Sequence, residues 1–390
     1  MSHPTLAIGG TVFLPRSALR DLVTVLRKRG FTVIGPTQVE GVVALRPLTS
    51  GQELPRGVRD EQGPGHYRLV PGEPDLSFEY VVGPDSPKRK FFPPVLNLFQ
   101  FHVDRESFVL DAGPPQVPKL AFLGVRPCEL AAIKVQDHVF GADDPRTVRC
   151  ESETYYCESR RESFLVAVNC TRPGGTCFCA SMETGPAAKD GFDLALTELR
   201  QGFITAVGSV RGLEICHDLP VREPSGAELE LAELKLHIAH EHMGCTLDTQ
   251  GLKDLLDQSL DHPQWADVAK RCLSCGNCTM VCPTCFCSTV SDSTELAGPK
   301  VMRTRRWESC FTHQFSATTA GPVRNTIRGR YRHWLRHKLG TWWDQFGMSG
   351  CVGCGRCITW CPVGIDLTAE AAQIRAHSQN SVPPVEEAPV

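Results

Sequence analysis

Cys272-Leu273-Ser274-Cys275-Gly276-Asn277-Cys278-Thr279-Met280-Val281-Cys282-Pro283 and Cys351-Val352-Gly353-Cys354-Gly355-Arg356-Cys357-Ile358-Thr359-Trp360-Cys361-Pro362 are two copies of one pattern. Both read C-x2-C-x2-C-x3-C-P, the bacterial ligand spacing for a [4Fe–4S] cluster, and two copies imply two clusters. Three cysteines at intervals of three wrap one loop around three irons. The fourth follows a longer step and, in two-cluster ferredoxins, reaches the other cluster. The spacing therefore predicts Cys272, Cys275, Cys278 and Cys361 on one centre and Cys351, Cys354, Cys357 and Cys282 on the second. Each proline fixes its own φ and biases the preceding cysteine toward an extended conformation, which helps the chain leave the cluster. Disulfides or zinc are the plainer readings of so many thiols. Zinc is satisfied by four ligands and has no need of two full runs.

The chain has 390 residues, 41% hydrophobic and 22% charged, with net charge −3. That suits two or three ordinary globular domains and argues against a general polyanion binder. Nineteen cysteines with ferredoxin spacing point to a reducing compartment rather than to a disulfide framework. Residues 1–10 lack a basic region followed by an apolar stretch, so a signal peptide is not expected. No apolar run approaches the roughly 20 residues a membrane span needs. A cytoplasmic location follows as an expectation.

The N-terminal part reads as strands alternating with helices. Leu19, Leu22, Val23 and Leu26 recur at helical spacing between Pro15 and Arg29, with Gly30 as a stop. Phe31–Ile34, Val42–Leu45, Pro118–Gly124 and Phe164–Val168 read as strands, and 129–139 as a helix. Residues 51–75, rich in Gly, Pro and charge, read as a loop. From 227 the pattern turns helical, with Leu231, Leu234 and Ile238 on one face. The expected class is α+β: a mixed α/β part (1–226), a helical connector (227–262), a helical two-cluster ferredoxin-like part (263–376) with a long insertion between its runs, and a disordered tail (377–390).

Other cysteines invite a third centre. Cys128 follows one predicted buried strand; Cys170, Cys177 and Cys179 follow another, in a Gly/Pro-rich loop. If those strands are neighbours, the four thiols emerge at one sheet edge, where α/β sheets place their sites. Free buried cysteines are the plainer alternative. Thr-Cys-Phe-Cys occurs at 176–179 and again at 284–287. Cys285 and Cys287 read as spare thiols near a cluster. Cys150, Cys157, Cys216, Cys245 and Cys310 receive no role.

Ten Lys/Arg and one acid, Glu308, lie between Lys300 and Lys338, and Arg324, Arg328, Arg332 and Arg336 recur every four residues. Compensation of anionic clusters, docking of an acidic partner and nucleic-acid binding compete for this stretch. The near-neutral whole chain makes nucleic acid the weakest of the three. His237, His240 and His242 read as a solvated helix rather than a metal site. There is no G-x-G-x-x-G after a strand, no Walker A loop and no nucleophile elbow, so no catalytic residue is assigned. All six tryptophans lie at or after Trp265, where their bulk could keep water from the clusters.

Gly124-Val125-Arg126-Pro127-Cys128-Glu129-Leu130, the 170–179 loop, Cys272 to Cys287, Arg330-Tyr331-Arg332-His333-Trp334-Leu335 with Phe346-Gly347, and Gly350 to Ile365 together resemble the iron–sulfur beta subunit of soluble NAD(P)-linked [NiFe] hydrogenases, also called sulfhydrogenases. They are similar as well to the electron-transfer subunit of anaerobic sulfite reductase. The resemblance runs from about residue 90 to 370 and leaves residues 1–90 without a role. It implies a wire with no substrate turnover of its own. Such a wire passes single electrons between an FAD/NAD(P)-binding reductase subunit on one side and the small and large subunits of a [NiFe] hydrogenase, or a sulfite reductase catalytic subunit, on the other. A stand-alone flavin-binding oxidoreductase is the alternative of another class, and dye-linked NAD(P)H oxidation by the isolated chain would separate the two.

Overall fold

The computed structural model describes residues 6–103, 107–112, 116–141, 153–295 and 298–380. Thirteen strands matter here: β1 (Thr11–Pro15), β2 (Thr32–Val39), β3 (Val42–Pro47), β4 (Val58–Gly63), β5 (His66–Pro71), β6 (Val95–Val103), β7 (Phe108–Ala112), β8 (Leu120–Val125), β9 (Phe164–Val168), β10 (Leu194–Glu198), β11 (Gly202–Val207), β12 (Ser288–Thr294) and β13 (Lys300–Trp307).

Seven of them form one sheet in the order β1-β11-β10-β9-β8-β2-β3. Its centre is parallel, β2 with β8, β8 with β9 and β9 with β10. Its flanks are antiparallel. The central strands are buried along their length, as β9 (Phe-Leu-Val-Ala-Val) illustrates, because both sheet faces are covered. One face packs the helix Leu19–Lys28, which buries Leu19, Leu22, Val23 and Leu26. Burial of such side chains contributes about 1.5–3 kcal/mol each. The other face packs the helices Pro127–Val139 and Thr154–Glu162 through Leu130, Ile133 and Tyr156.

A second sheet has the order β12-β13-β6-β7. β13 pairs antiparallel with β6 from Lys300↔His102 to Arg306↔Val95. The insertion between the cysteine runs is thus hydrogen-bonded to the first third of the chain, across the expected boundary at 262/263. The C-terminal part has its own core, built on Trp265, Val268, Tyr331, Trp334, Leu335, Ile358 and Ile374.

The structure corrects several expectations. Residues 51–75 are not one loop: β4 and β5 form a hairpin there, hidden by its charge and by Pro64-Gly65 at the turn. The helix Gly226–Glu241 forms, but it buries Ala232 and Ala239; Leu231, Leu234 and Ile238 are 42, 53 and 47% exposed. The final helix Leu367–Asn380 runs past the expected boundary at 377, and 381–390 lie outside the described residues. No helix is long and apolar enough to cross a membrane among the described residues.

Candidate metal centres

The first run bends around one small cavity. Its wall holds Cys272, Cys275, Cys278 and, from the second run, Cys361, closed by Phe311, Tyr331 and Trp334. Gly276, at φ 78°, makes the turn that reverses the chain between Cys275 and Cys278. The Ser274 N–H points to Cys272 Sγ (3.4 Å) and the Ile365 N–H to Cys361 Sγ (3.3 Å). Such donors stabilise a thiolate ligand and tune its potential.

The second run surrounds another cavity with Cys351, Cys354, Cys357 and Cys282, together with Lys338, Thr284, Trp334 and Phe178. The Gly353 N–H points to Cys351 Sγ at 3.5 Å. The structure places the fourth cysteine of each run at the cavity of the other. Cys361 of the second run thus lines the first run's cavity and Cys282 of the first run lines the second's, while Cys357 stands in the wall between them.

The third set converges as well. β8 and β9 are parallel neighbours, so Cys128 and Cys170, just beyond their C-terminal ends, leave the sheet side by side. Cys128, Cys170, Cys177 and Cys179 line one cavity with Val81, Val82 and Pro186. A bulge at Gly124 (φ 91°) displaces the register of β8 against β9 and re-aims the following Arg126-Pro127-Cys128 segment. Pro127 and Cys128 then occupy the first turn of the helix Pro127–Val139. The loop of Cys177 and Cys179 is clamped onto the second run. The Phe178 N–H donates to Gly353 O (2.9 Å), the Thr184 hydroxyl to Val352 O (2.7 Å), and Thr176 and Thr359 share a hydroxyl hydrogen bond (2.7 Å). Gly353 (φ 64°) and Gly355 (φ 74°) are needed for this approach, because a Cβ at either would lie 2.6 or 2.4 Å from the carbonyl of Phe178 or Thr176.

The cavities touch. Cys357 and Trp334 line both the first and the second; Cys354 lines both the second and the third. The second is the middle one. The thiols of all three sets are free, which removes the disulfide reading for these twelve. Among the described residues no three His, Cys, Asp or Glu side chains close on a single point as one metal ion requires. A cubane carries its thiolates on separate corners, so its ligands need not meet at one point. Donor type, number and backbone N–H groups all fit [4Fe–4S] centres.

Charge is organised around the same thiols. Burial pushes Cys128, Cys177, Cys278 and Cys357 well above the ordinary thiol range, so loading a cluster must release protons. Cys282 moves the other way, held down by the neighbouring Cys285 thiol and by Lys338 and Lys88. The Arg-Pro-Cys-Glu segment gains a purpose here. The Arg126 guanidinium reaches Cys170 Sγ (3.9 Å) and is held by the carbonyls of Phe78 and Tyr80. Glu129 accepts the Arg126 N–H (2.9 Å) and pairs with buried Arg356. Arg356 also donates to Gly83 O and Asp85 O (both 2.8 Å) and lies against Cys354.

Residues 271–365 match the 4Fe-4S dicluster domain family. Sulfhydrogenase 2 subunit beta of Pyrococcus furiosus is 32% identical over 304 residues, covering 77% of this chain and 86% of that protein. The chain belongs to the sulfhydrogenase beta-subunit family. No solved structure matches it. As an iron–sulfur beta subunit of this family it carries [4Fe–4S] clusters in a ferredoxin-type C-terminal part.

For this beta subunit the structure also finds work for residues 1–90. The β4–β5 hairpin leans on the second run: the Gly65 N–H donates to Ile358 O (3.0 Å) and Tyr67 stacks on Trp360 at 5.1 Å. Sequence reasoning missed Lys88 and Lys338, both 3% exposed. Lys88 Nζ binds Cys282 O (2.7 Å) and Cys285 O (3.2 Å). Their only sequence signal was membership of basic stretches. Three arginines of the ladder find partners within the chain, two of them at its surface. Arg336 pairs with Asp257 (2.5 Å), Arg328 and Arg332 reach Asp261, and Arg332 donates to Leu260 O (2.6 Å). Arg324 lies before the helix Ile327–Arg336 rather than on it. Cys287 lies beside Cys310, while Cys245 is close to Asp366 (3.7 Å). Cys216 sits in the sheet core, away from the cavities. Cys157 is disulfide-bonded, and Cys150 lies outside the described residues.

Proposed function

We propose that this beta subunit holds three [4Fe–4S] clusters, on Cys272, Cys275, Cys278 and Cys361, on Cys351, Cys354, Cys357 and Cys282, and on Cys128, Cys170, Cys177 and Cys179. It relays single electrons along them, from an FAD/NAD(P)-binding reductase subunit to the catalytic subunits of a [NiFe] hydrogenase or in the reverse direction. One observation carries the reading: the three thiol-lined cavities share walls, through Cys357 and Cys354. That contiguity supports a line of centres with the Cys351 set in the middle. The first is the most open, with Cys275 exposed; the other two are lined by buried or half-buried thiols. The hydrogenase side of the reading draws on the name of the Pyrococcus relative. A cytoplasmic location draws on seventeen of the eighteen described cysteines being free, with Cys157 the exception.

Anaerobic iron and acid-labile sulfide analysis with EPR of the reduced protein tests the count. About twelve irons per chain with interacting signals are expected. Cys170→Ser should remove about four of them; unchanged iron in that variant would sink the third centre.

A further inference from the structure

Lys338 and Lys88 are buried cations, and among the described residues neither pairs with a carboxylate. A buried ammonium without a counter-charge is strongly unfavourable, so an anion must lie within reach. For Lys338 the direction is written in its three N–H donors. They go to Thr284 Oγ1 (2.7 Å), Gly350 O (2.9 Å) and Cys282 Sγ (3.3 Å). The first two acceptors are neutral. The third is the sulfur that the first run contributes to the middle cavity, whose wall Lys338 itself forms. Thr284 is held in turn by donating to Gly350 O (2.7 Å), so the ammonium has a fixed seat. Its stem leaves a π-helical turn, His337–Thr341, and its ammonium lies 5.2 Å from the centre of the Trp342 ring. Such turns recur at functional sites.

Resting on the ligand sets proposed above, we infer that Lys338 is the built-in counter-charge of the middle centre and raises its reduction potential. Each reduction places one more negative charge on a centre already made anionic by its thiolates. A fixed cation at hydrogen-bond distance from one of those sulfurs stabilises the reduced form more than the oxidised form. No proton moves in the step; the electron arrives from a neighbouring centre and Lys338 stays an ammonium throughout. Lys338 is a tuning residue and binds no substrate. Lys88 supports it from the other side of the same segment, at the carbonyls of Cys282 and Cys285 rather than at sulfur.

The test is a potentiometric EPR titration of cluster-loaded Lys338→Met, with the middle centre identified as the signal lost in Cys351→Ser. At the ambient potential that half-reduces the native middle centre, its reduced-to-oxidised ratio should fall at least tenfold, equivalent to 59 mV for one electron. The other two centres should hold their potentials, and iron per chain should not change. Lys88→Met should shift the same centre by less. Full iron with a ratio within twofold of native overturns the inference. Should Lys338→Met lose iron, unmutated protein grown with 15N-lysine gives a second reading. Pulsed EPR should detect a lysine nitrogen coupled to one centre, and its absence also overturns the inference. Failure of the ligand assignment is distinguishable, since Cys351→Ser would then remove no signal.

Discussion

Replacing Glu129 with alanine breaks the junction between the helix that follows β8 and the second cysteine run. Arg356 is 1% exposed and Glu129 5%. Removing one member of a buried pair costs about 3–5 kcal/mol because it strands the other charge. Arg356 keeps two carbonyl acceptors, Gly83 O and Asp85 O, which argues for the lower end. The lost acceptor for the Arg126 N–H adds about 1 kcal/mol. The expected total is about 4 kcal/mol, against about 1.5–3 kcal/mol for Glu129→Gln, which keeps one acceptor oxygen, turns the other into an NH2 donor and loses the charge. The assay is anaerobic urea unfolding of cluster-loaded protein, completed as a double-mutant cycle with Arg356→Met. Removing both partners abolishes the stranded charge, so the double variant should be more stable than the sum of the single losses by up to about 3 kcal/mol. A loss under about 1 kcal/mol for Glu129→Ala, or strict additivity, would refute the reasoning.

Three further outcomes follow from the geometry. Gly353→Ala puts a side chain into the left-handed region, worth about 1–2 kcal/mol, and drives its Cβ against the backbone of Phe178 and Cys179; iron analysis and EPR should show the second and third centres lost with the first retained, and full iron would count against the clamp. Burial lowers the His333 imidazole to about 4. A base with a depressed folded pKa contributes stability above its unfolded value near 6.5 and loses it as pH falls toward 4, so His333→Asn should flatten the urea midpoint over that window. Leu234→Lys on the exposed face of Gly226–Glu241 should change the unfolding free energy by no more than about 0.5 kcal/mol; a larger loss would mean that face is covered within the protein.

The grouping of the run thiols around two cavities, with Cys361 at the first and Cys282 at the second, was legible because spacing along a loop dictates where thiols converge. The strands before Cys128 and Cys170 were readable because central parallel strands are apolar throughout. Their adjacency was only a condition, since pairing between residues some 40 positions apart leaves no mark in either strand. β12 is Ser-Thr-Val-Ser-Asp-Ser-Thr and almost wholly exposed, so it has no apolar alternation to read. Lys88, Lys338 and Arg356 were invisible for a related reason. A buried cation has the same letter as a solvated one, and only its thiol and carbonyl neighbours, brought in from distant segments, give it meaning. The leucine face of 226–241 was legible as a helix face, but helical periodicity reports amphipathicity and not what covers it.

The pairing of β6 with β13 has a consequence for synthesis. Val103 and Lys300 are 197 positions apart in the chain. At about 5–20 residues per second, the β6–β7 ribbon leaves the ribosome roughly 10–40 seconds before the strand that will cover its edge. Throughout that interval the nascent chain presents an unpaired edge carrying Leu96, Phe99 and Phe101, a template for the wrong partner. Cys351 emerges later still. Holding that edge apart until the last third of the polypeptide exists is a task for a chaperone, so expression yield should depend on translation speed and chaperone supply as well as on iron.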